Sequence, residues 1–233
     1  MAEFDATAAA RWLAEAVETG NPLGPLPADI APGDLDQAAE VAAATLDALA
    51  IVPCGLRLLR RPDAAPIAGP MLDGRLVPAG REVALAALRH PLVSAAVIGV
   101  LAEPLDPDGT TPPVFARLHP ALDIAATRFT DVPGDDVALT ADLGRLGLVV
   151  AGKGKPLAPG PVGIALGPKG SRSRKVETDL VAAFAEAAAE ARQWGGLPAG
   201  ALLVVAGLTP PAAVEGVLRA SFGPLGSVEA TLR

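Results

Sequence analysis

The chain contains no tyrosine, one cysteine and two histidines, and aromatics make up 3% of its 233 residues. With so few large rings, its core has to be built from Ala, Leu and Val packed closely. A single cysteine, Cys54, excludes an internal disulfide. That fits a reducing compartment, so a cytoplasmic location is expected. A basic excess is also lacking, since 19 Lys and Arg stand against 26 Asp and Glu, a net charge of −7. Phosphate contacts supply most nucleic-acid affinity, so a nucleic-acid partner is not expected. The one basic cluster, Ser171–Lys175, reads as a solvated loop. Long apolar runs are missing too. Pro91–Ala102 is free of charge but shorter than the roughly 20 residues a bilayer requires, so no membrane role is expected. No basic segment followed by an apolar stretch opens the chain, and no secretory signal is expected.

What is present is an apolar chain, 51% hydrophobic, punctuated by 25 glycines and 24 prolines. Its length suits one large domain or one domain with a small appendage. Ala2–Thr19 reads as a helix with Phe4, Ala8 and Trp12 in one row and Leu13 and Val17 beside it. Gly20–Pro32 reads as a linker. Asp34 can cap a second helix, in which Leu35, Ala39, Ala42, Leu46 and Leu49 recur at helical spacing. These two helices read as an N-terminal segment, residues 1–50, ahead of a β-rich body, residues 51–233. In that body short apolar runs alternate with Pro and Gly: Gly55–Leu59, Val93–Leu101, Ala121–Ala126, Leu146–Val150, Val162–Leu166, Ala201–Leu208 and Val217–Phe222. One long helix interrupts them. Thr178 is its expected cap, Leu180, Val181, Phe184, Ala188 and Ala191 its apolar face, and Gly195–Gly196 its end.

The body is organised around Leu197–Val228. There Leu-Pro-Ala-Gly leads into the apolar Ala201–Leu208, the stop Thr209-Pro210-Pro211, and finally Phe222-Gly223-Pro224-Leu225-Gly226-Ser227-Val228. This pattern resembles the closing segment of the 2-keto-4-pentenoate hydratase/decarboxylase family of the fumarylacetoacetate hydrolase superfamily. The resemblance extends upstream. Gly55-Leu56-Arg57-Leu58 is similar to the family's G-x-K-I/V, and Gly69-Pro70-Met71-Leu72-Asp73 to its G-x-L/M-x-D. Pro120-Ala121-Leu122-Asp123-Ile124 resembles P-A-L-E-I, Thr127-Arg128 the S-R after it, and Ala141-Asp142 the start of A-D-N-A-S. The fold implied is α+β: a β-roll core with flanking helices and the N-terminal helical segment.

Members of that family hold a divalent metal with three carboxylates, an E-x-E pair on one strand and the Glu of P-A-L-E-I. Oxygen ligands of this kind suit magnesium or manganese, and the metal polarises a 2-oxo acid as negative charge develops. Alignment on Pro91-Leu92-Val93 puts Ser94 and Ala96 at the E-x-E positions, so only Asp123 remains of the three. No metal and no other cofactor is expected. The family's Lys is Arg57 here, the Asn and Ser of A-D-N-A-S are replaced within Leu143-Gly144-Arg145, and its Thr-Gly is Val205-Ala206.

Two functional readings follow. The first is a diverged, metal-independent enzyme of lyase, hydratase or isomerase type acting on a small oxo- or enol-bearing molecule. In it Asp123 and Asp73 are the catalytic candidates, and Arg57, Arg145 and Arg128 the substrate-binding ones. Asp123 reads equally as a relic carboxylate paired with an arginine, and Asp73 as a turn former in Leu72-Asp73-Gly74. Arg57 and Arg145 can clamp a carboxylate in bidentate fashion or form salt bridges that replace the lost metal charge. The second reading is a non-catalytic homologue that binds or stabilises a partner enzyme, such as an active paralogue. A cavity lined by Arg57, Asp73, Asp123 and Arg145 favours the enzyme, and a site filled by Leu143 and Val205 favours the scaffold. His90 and His119 read as loop residues, and Cys54 as core or core edge. A mean hydropathy of +0.40 is high for a soluble monomer, so a homo-oligomer is expected.

Overall fold

A computed structural model of the chain describes residues 4–212 and 214–233. Among the described residues, four α-helices and twelve strands alternate as α1 (Ala6–Thr19), α2 (Leu35–Ala48), β1 (Gly55–Arg61), β2 (Ala64–Met71), β3 (Leu76–Pro78), β4 (Glu82–Val83), β5 (Arg89–Leu101), β6 (Phe115–Thr127), α3 (Asp136–Ala141), β7 (Leu146–Ala151), β8 (Pro161–Pro168), β9 (Lys175–Asp179), α4 (Leu180–Gln193), β10 (Leu202–Ala206), β11 (Gly216–Ser221) and β12 (Ser227–Leu232). They form a seven-stranded sheet in the order β2-β1-β10-β5-β6-β7-β3 and a five-stranded sheet in the order β4-β12-β11-β8-β9. This is the α+β architecture expected from the sequence.

The large sheet is covered on both faces, which is why its strands read as nearly continuous apolar runs. Alternate residues sort the two faces. Leu56, Leu58, Ala95, Val97, Leu122, Ile124, Leu203 and Val205 pack into one core with the small sheet and with Phe184 and Ala187 of α4. Leu59, Ala96, Ile98, Ala121, Ala125, Val149 and Val204 pack into a second core with Ala42 and Leu46 of α2 and with Leu143. A third cluster joins Ala9, Leu13 and Ala16 of α1 to Ala38 and Val41 of α2, Phe129, and Ala141 of α3. The N-terminal helices thus reach the sheet through α2 and through Val17 near the end of α1.

Several local expectations are corrected. Ala2 lies outside the described residues, and α1 is capped by Asp5, whose Oδ1 accepts the Thr7 N–H at 2.9 Å. Its inward face is Ala9, Ala10 and Leu13, and Trp12 is 48% exposed. Small alanines let this helix sit close to its neighbours, which turns the bulky ring outward. In α2, Asp34 caps as expected, but Leu35 is exposed and Ala38, Val41 and Thr45 are buried instead. The cap of α4 is Asp179, not Thr178. β9 runs directly into the helix, so Thr178 still pairs with Val162 in the sheet and the next residue takes the cap. Val181, placed on the apolar face of α4, is half exposed.

Candidate functional site

Arg57 on β1, and Ser94, Ala96 and Asp123 on β5 and β6, all lie on the α2-facing side of the large sheet, because their sequence neighbours Leu56, Leu58, Ala95, Leu122 and Ile124 fill the opposite core. The register sets Ser94 opposite Asp123 and Ala96 opposite Ala121. The three positions aligned with the family's ligands are therefore neighbours on one face, as the sequence comparison required.

The chemistry at that face is not that of a metal. The Arg57 guanidinium closes on Asp123 in bidentate fashion, Nε donating to Oδ1 and Nη2 to Oδ2, each at 2.6 Å. Arg57 Nη1 donates to the carbonyl of Gly144 at 2.8 Å. Both residues are 0% exposed. Ser94 is committed as well, since its hydroxyl accepts the Gly207 N–H at 3.0 Å. Ala96 offers no donor atom. A dication needs several free oxygen ligands, and here the one carboxylate is already neutralised by a cation, so the residues present do not fit a divalent metal. Among the described residues, no group of three or more His, Cys, Asp and Glu is placed to hold a metal ion.

Leu143, Gly144 and Arg145 lie over this pair. All three have positive φ (53°, 61° and 60°), a single left-handed turn in which two residues carry side chains. L-residues adopt that conformation at a cost of about 1–2 kcal/mol each. The turn is pressed against β2. A Cβ on Gly69 would sit 2.7 Å from the Leu143 carbonyl oxygen, and one on Gly144 would sit 2.9 Å from the Gly69 Cα. Only glycine at both positions allows this backbone contact, which delivers the Gly144 carbonyl to Arg57 and Leu143 to the core. Val205, expected beside the site, belongs to the opposite core, and Val204 takes that position instead.

A second ion pair flanks the first. Asp142 is fully buried, accepts the Thr127 hydroxyl at 2.6 Å, and pairs with Arg128 Nε at 2.5 Å. Arg128 also donates to the carbonyls of Leu146, at 2.6 Å, and of Asp142. Arg145 is 7% exposed, and its Nε is the one buried side-chain polar atom without a hydrogen-bond partner among the described residues. Its Nη2 reaches only the carbonyl of His90, at 3.4 Å. Burial, and then the neighbouring Arg57, push the Arg145 pKa down from its ordinary value, against the pull of Asp142 and Asp123. The cluster of Arg57, Arg128 and Arg145 with Asp123 and Asp142 thus holds one positive charge in excess.

Of the residues singled out from sequence, the structure brings Arg57, Asp123 and Arg145 together and joins Arg128 to them through Asp142. Asp73 stands apart from Arg57. It is exposed, opens a 3-10 turn, and acts electrostatically on Cys54. His90 and His119, read as loop residues, lie instead on β5 and β6, where His90 Nε2 is 2.7 Å from the Thr130 carbonyl oxygen and His119 Nδ1 is 3.0 Å from that of Gly152. The Gly69–Gly144 contact has no local signature, although both glycines lie in or beside the motifs of the resemblance. Its only sequence signal is a pair of glycines 75 positions apart.

The two sheets and the helices packed on them form a fold shared with solved structures of small-molecule enzymes. No protein-family model and no curated protein matches the sequence. Among solved structures, the chain is similar to 4-oxalocrotonate decarboxylase from Pseudomonas putida G7, complexed with magnesium and adipate, with a TM-score of 0.79 and 19% identity over 97% of this chain and 96% of that one. It is also similar to 2-hydroxyhepta-2,4-diene-1,7-dioate isomerase from Mycobacterium marinum, with a TM-score of 0.58 and 14% identity over 78% of this chain and 75% of the other. Fumarylpyruvate hydrolase from Pseudomonas aeruginosa, in complex with Mn2+ and pyruvate, gives a TM-score of 0.56 and 14% identity over 76% and 87% of the two chains. No helix among the described residues is long and apolar enough to cross a membrane.

Proposed function

We propose that this chain is a diverged 2-keto-4-pentenoate hydratase-like protein that works without a metal on a small oxo- or enol-bearing acid, in lyase, hydratase or isomerase-type chemistry. The observation that carries this reading is the exchange of a dication for guanidinium groups. Arg57 binds the surviving carboxylate, and Arg145 remains beside it as a buried cation without a carboxylate of its own. Fixed cations in a dry site stabilise negative charge as it develops, and a guanidinium recognises a carboxylate through paired N–H donors. In this reading Arg145 holds the acid group of the substrate, with Arg128 behind it. Asp73, the exposed acid, moves the proton, and Asp123 acts with Arg57 as a fixed pair. The class of reaction is supported by the near full-length likeness to the decarboxylase, which covers 97% of this chain, against 78% for the isomerase and 76% for the hydrolase. Association into a homo-oligomer and a cytoplasmic location belong to the same proposal.

The second reading, a non-catalytic homologue that binds or stabilises a partner enzyme, is favoured by a separate observation. Arg57 and Asp123 are both 0% exposed, and Leu143 is packed into the core on their side of the sheet. One experiment separates the two. The protein is stripped with EDTA and offered a panel of 2-oxo and 2-hydroxydienoic acids, with turnover followed by ultraviolet absorbance. The first reading expects turnover that survives EDTA and falls sharply in Arg145→Met. Turnover that appears only on adding magnesium or manganese would overturn it. A stable complex with an active paralogue, without turnover across the panel, would establish the second.

A further inference from the structure

Away from the closed ion pair, a cleft of about 310 Å³ opens between the C-terminal end of α1, the 3-10 turn before β3, the start of β5 and the end of β6. Arg75, Arg89 and Arg128 line it together with Thr127, and the one acidic lining residue is Glu18, which is exposed. Neither Arg57, Asp123 nor Arg145 lines it. Arg128 is neutralised from behind by Asp142. Among the described residues, Arg75 and Arg89 form no ion pair. Burial first, and then the proximity of Arg128, pull the Arg75 pKa below its ordinary value. The Arg75 and Arg128 guanidiniums are therefore held near each other, partly out of water, and Arg89 lines the same cleft.

We propose that this cleft is a binding site for a compact dianion whose oxyanion groups bridge Arg75, Arg89 and Arg128. Like charges held in a partly dry cleft repel one another, and an anion between them relieves that repulsion while accepting from the Arg75 and Arg89 guanidiniums, which form no ion pair among the described residues. Arginine forks match the planar carboxylate and the phosphate alike. The volume lies at the lower end of small-molecule pockets, about 300–1,000 Å³, which fits a short dicarboxylate or a phosphate group. The features that oppose an anion here are weak. Glu18 can turn into solvent, and the last-turn carbonyls of α1 at Glu15 and Ala16 already accept the Thr19 hydroxyl and the Gly20 N–H. Arg128 thereby gains a role in ligand binding that does not depend on chemistry at Arg57 and Asp123.

Calorimetric titration tests this on the full chain at fixed ionic strength, with succinate, inorganic phosphate and the neutral succinamide as probes. One-to-one binding of succinate or phosphate is expected, with none of succinamide. Tighter succinate binding assigns the site to dicarboxylates, and tighter phosphate binding assigns it to phosphate-bearing ligands. Arg75→Gln and Arg89→Gln should each weaken dianion binding by tenfold or more. Arg172→Gln, in the exposed loop before β9 and outside the cleft, should leave it unchanged, which separates this site from a general loss of positive charge. Thermal melting of each variant controls for folding. Dianion binding that is absent in the parent chain, or undiminished in both glutamine variants, would overturn the proposal.

Discussion

The Arg57 guanidinium lies flat against the Asp123 carboxylate, two hydrogen bonds of 2.6 Å joining strands β1 and β6, which β10 and β5 separate in the sheet order. A buried pair of this kind contributes little over well-packed apolar side chains, but losing one partner strands the other charge. Arg57→Ala is therefore expected to lower the unfolding free energy by about 3–5 kcal/mol. Arg57→Met combined with Asp123→Leu should cost much less. Urea unfolding of the parent, the single and the double variants reads both values, and a single variant as stable as the parent would show that the pair is not closed in solution.

A second expectation concerns metal. The family's three carboxylates would place a formal charge of −3 around a dication, whereas Ser94, Ala96 and Asp123 offer −1, already matched by Arg57. Losing even a few kcal/mol of binding is a factor of a hundred or more. Titrating manganese into the protein should give no stoichiometric isotherm in the low micromolar range. A one-to-one isotherm abolished by Asp123→Ala would restore an ordinary metal-dependent reading.

The contact between Gly69 and Gly144 gives a third. Gly144→Ala combines a positive φ with a Cβ 2.9 Å from the Gly69 Cα and 3.0 Å from the Ala68 carbonyl oxygen. Strain and overpacking together should destabilise by about 2–5 kcal/mol. Gly74→Ala is the control, because nothing lies within 4 Å of its added Cβ and its φ is not positive. There the reduced freedom of the unfolded chain should stabilise by about 0.4–1 kcal/mol. Melting temperatures that move in opposite directions for the two alanine variants are the expected result.

Much of this architecture was legible where one residue type carries one message. The apolar runs of β1, β5, β6, β7 and β10 and the cap at Asp34 are local signals, and each is found where it was read. β2 escaped because Pro66, Gly69 and Pro70 look like loop residues, yet β2 is an edge strand of its sheet, where proline is tolerated. The exposure of Trp12 escaped because in an alanine-rich helix several faces are equally apolar, and tertiary contacts decide among them. At the site, the neutral residues Ser94 and Ala96 could be set beside Asp123 by resemblance alone, and the strand register bears out that they are neighbours. Asp73 and Asp123 could not be sorted as partners of Arg57, because the order of strands in a sheet leaves no trace in local spacing. Arg75 and Arg89 carried no motif at all, and only the packing of the C-terminal end of α1 against the ends of β5 and β6 gathers them around one cleft.

The last expectation concerns Cys54 and tests where Asp73 lies. The Cys54 thiol is half-buried and donates to the Met71 carbonyl at 3.3 Å. Burial raises its pKa, the negative charge of Asp73 raises it further, and a backbone hydrogen bond partly opposes both. A thiol reacts as the thiolate, so a raised pKa means less reactive species at any given pH below it. Alkylation by iodoacetamide should therefore be slow at neutral pH, and its pH–rate profile should have a midpoint above the ordinary thiol value of about 8.5. Asp73→Asn removes the second cause while leaving burial in place. Its profile should move to lower pH, and the rate at a fixed mildly alkaline pH should rise. Asp73 is exposed, so solvent screens its charge, and the displacement should shrink as salt is added. A profile identical in Asp73→Asn at low salt would show that the turn carrying Asp73 does not face Cys54, and would remove Asp73 from the acid–base role proposed for it at this end of β2.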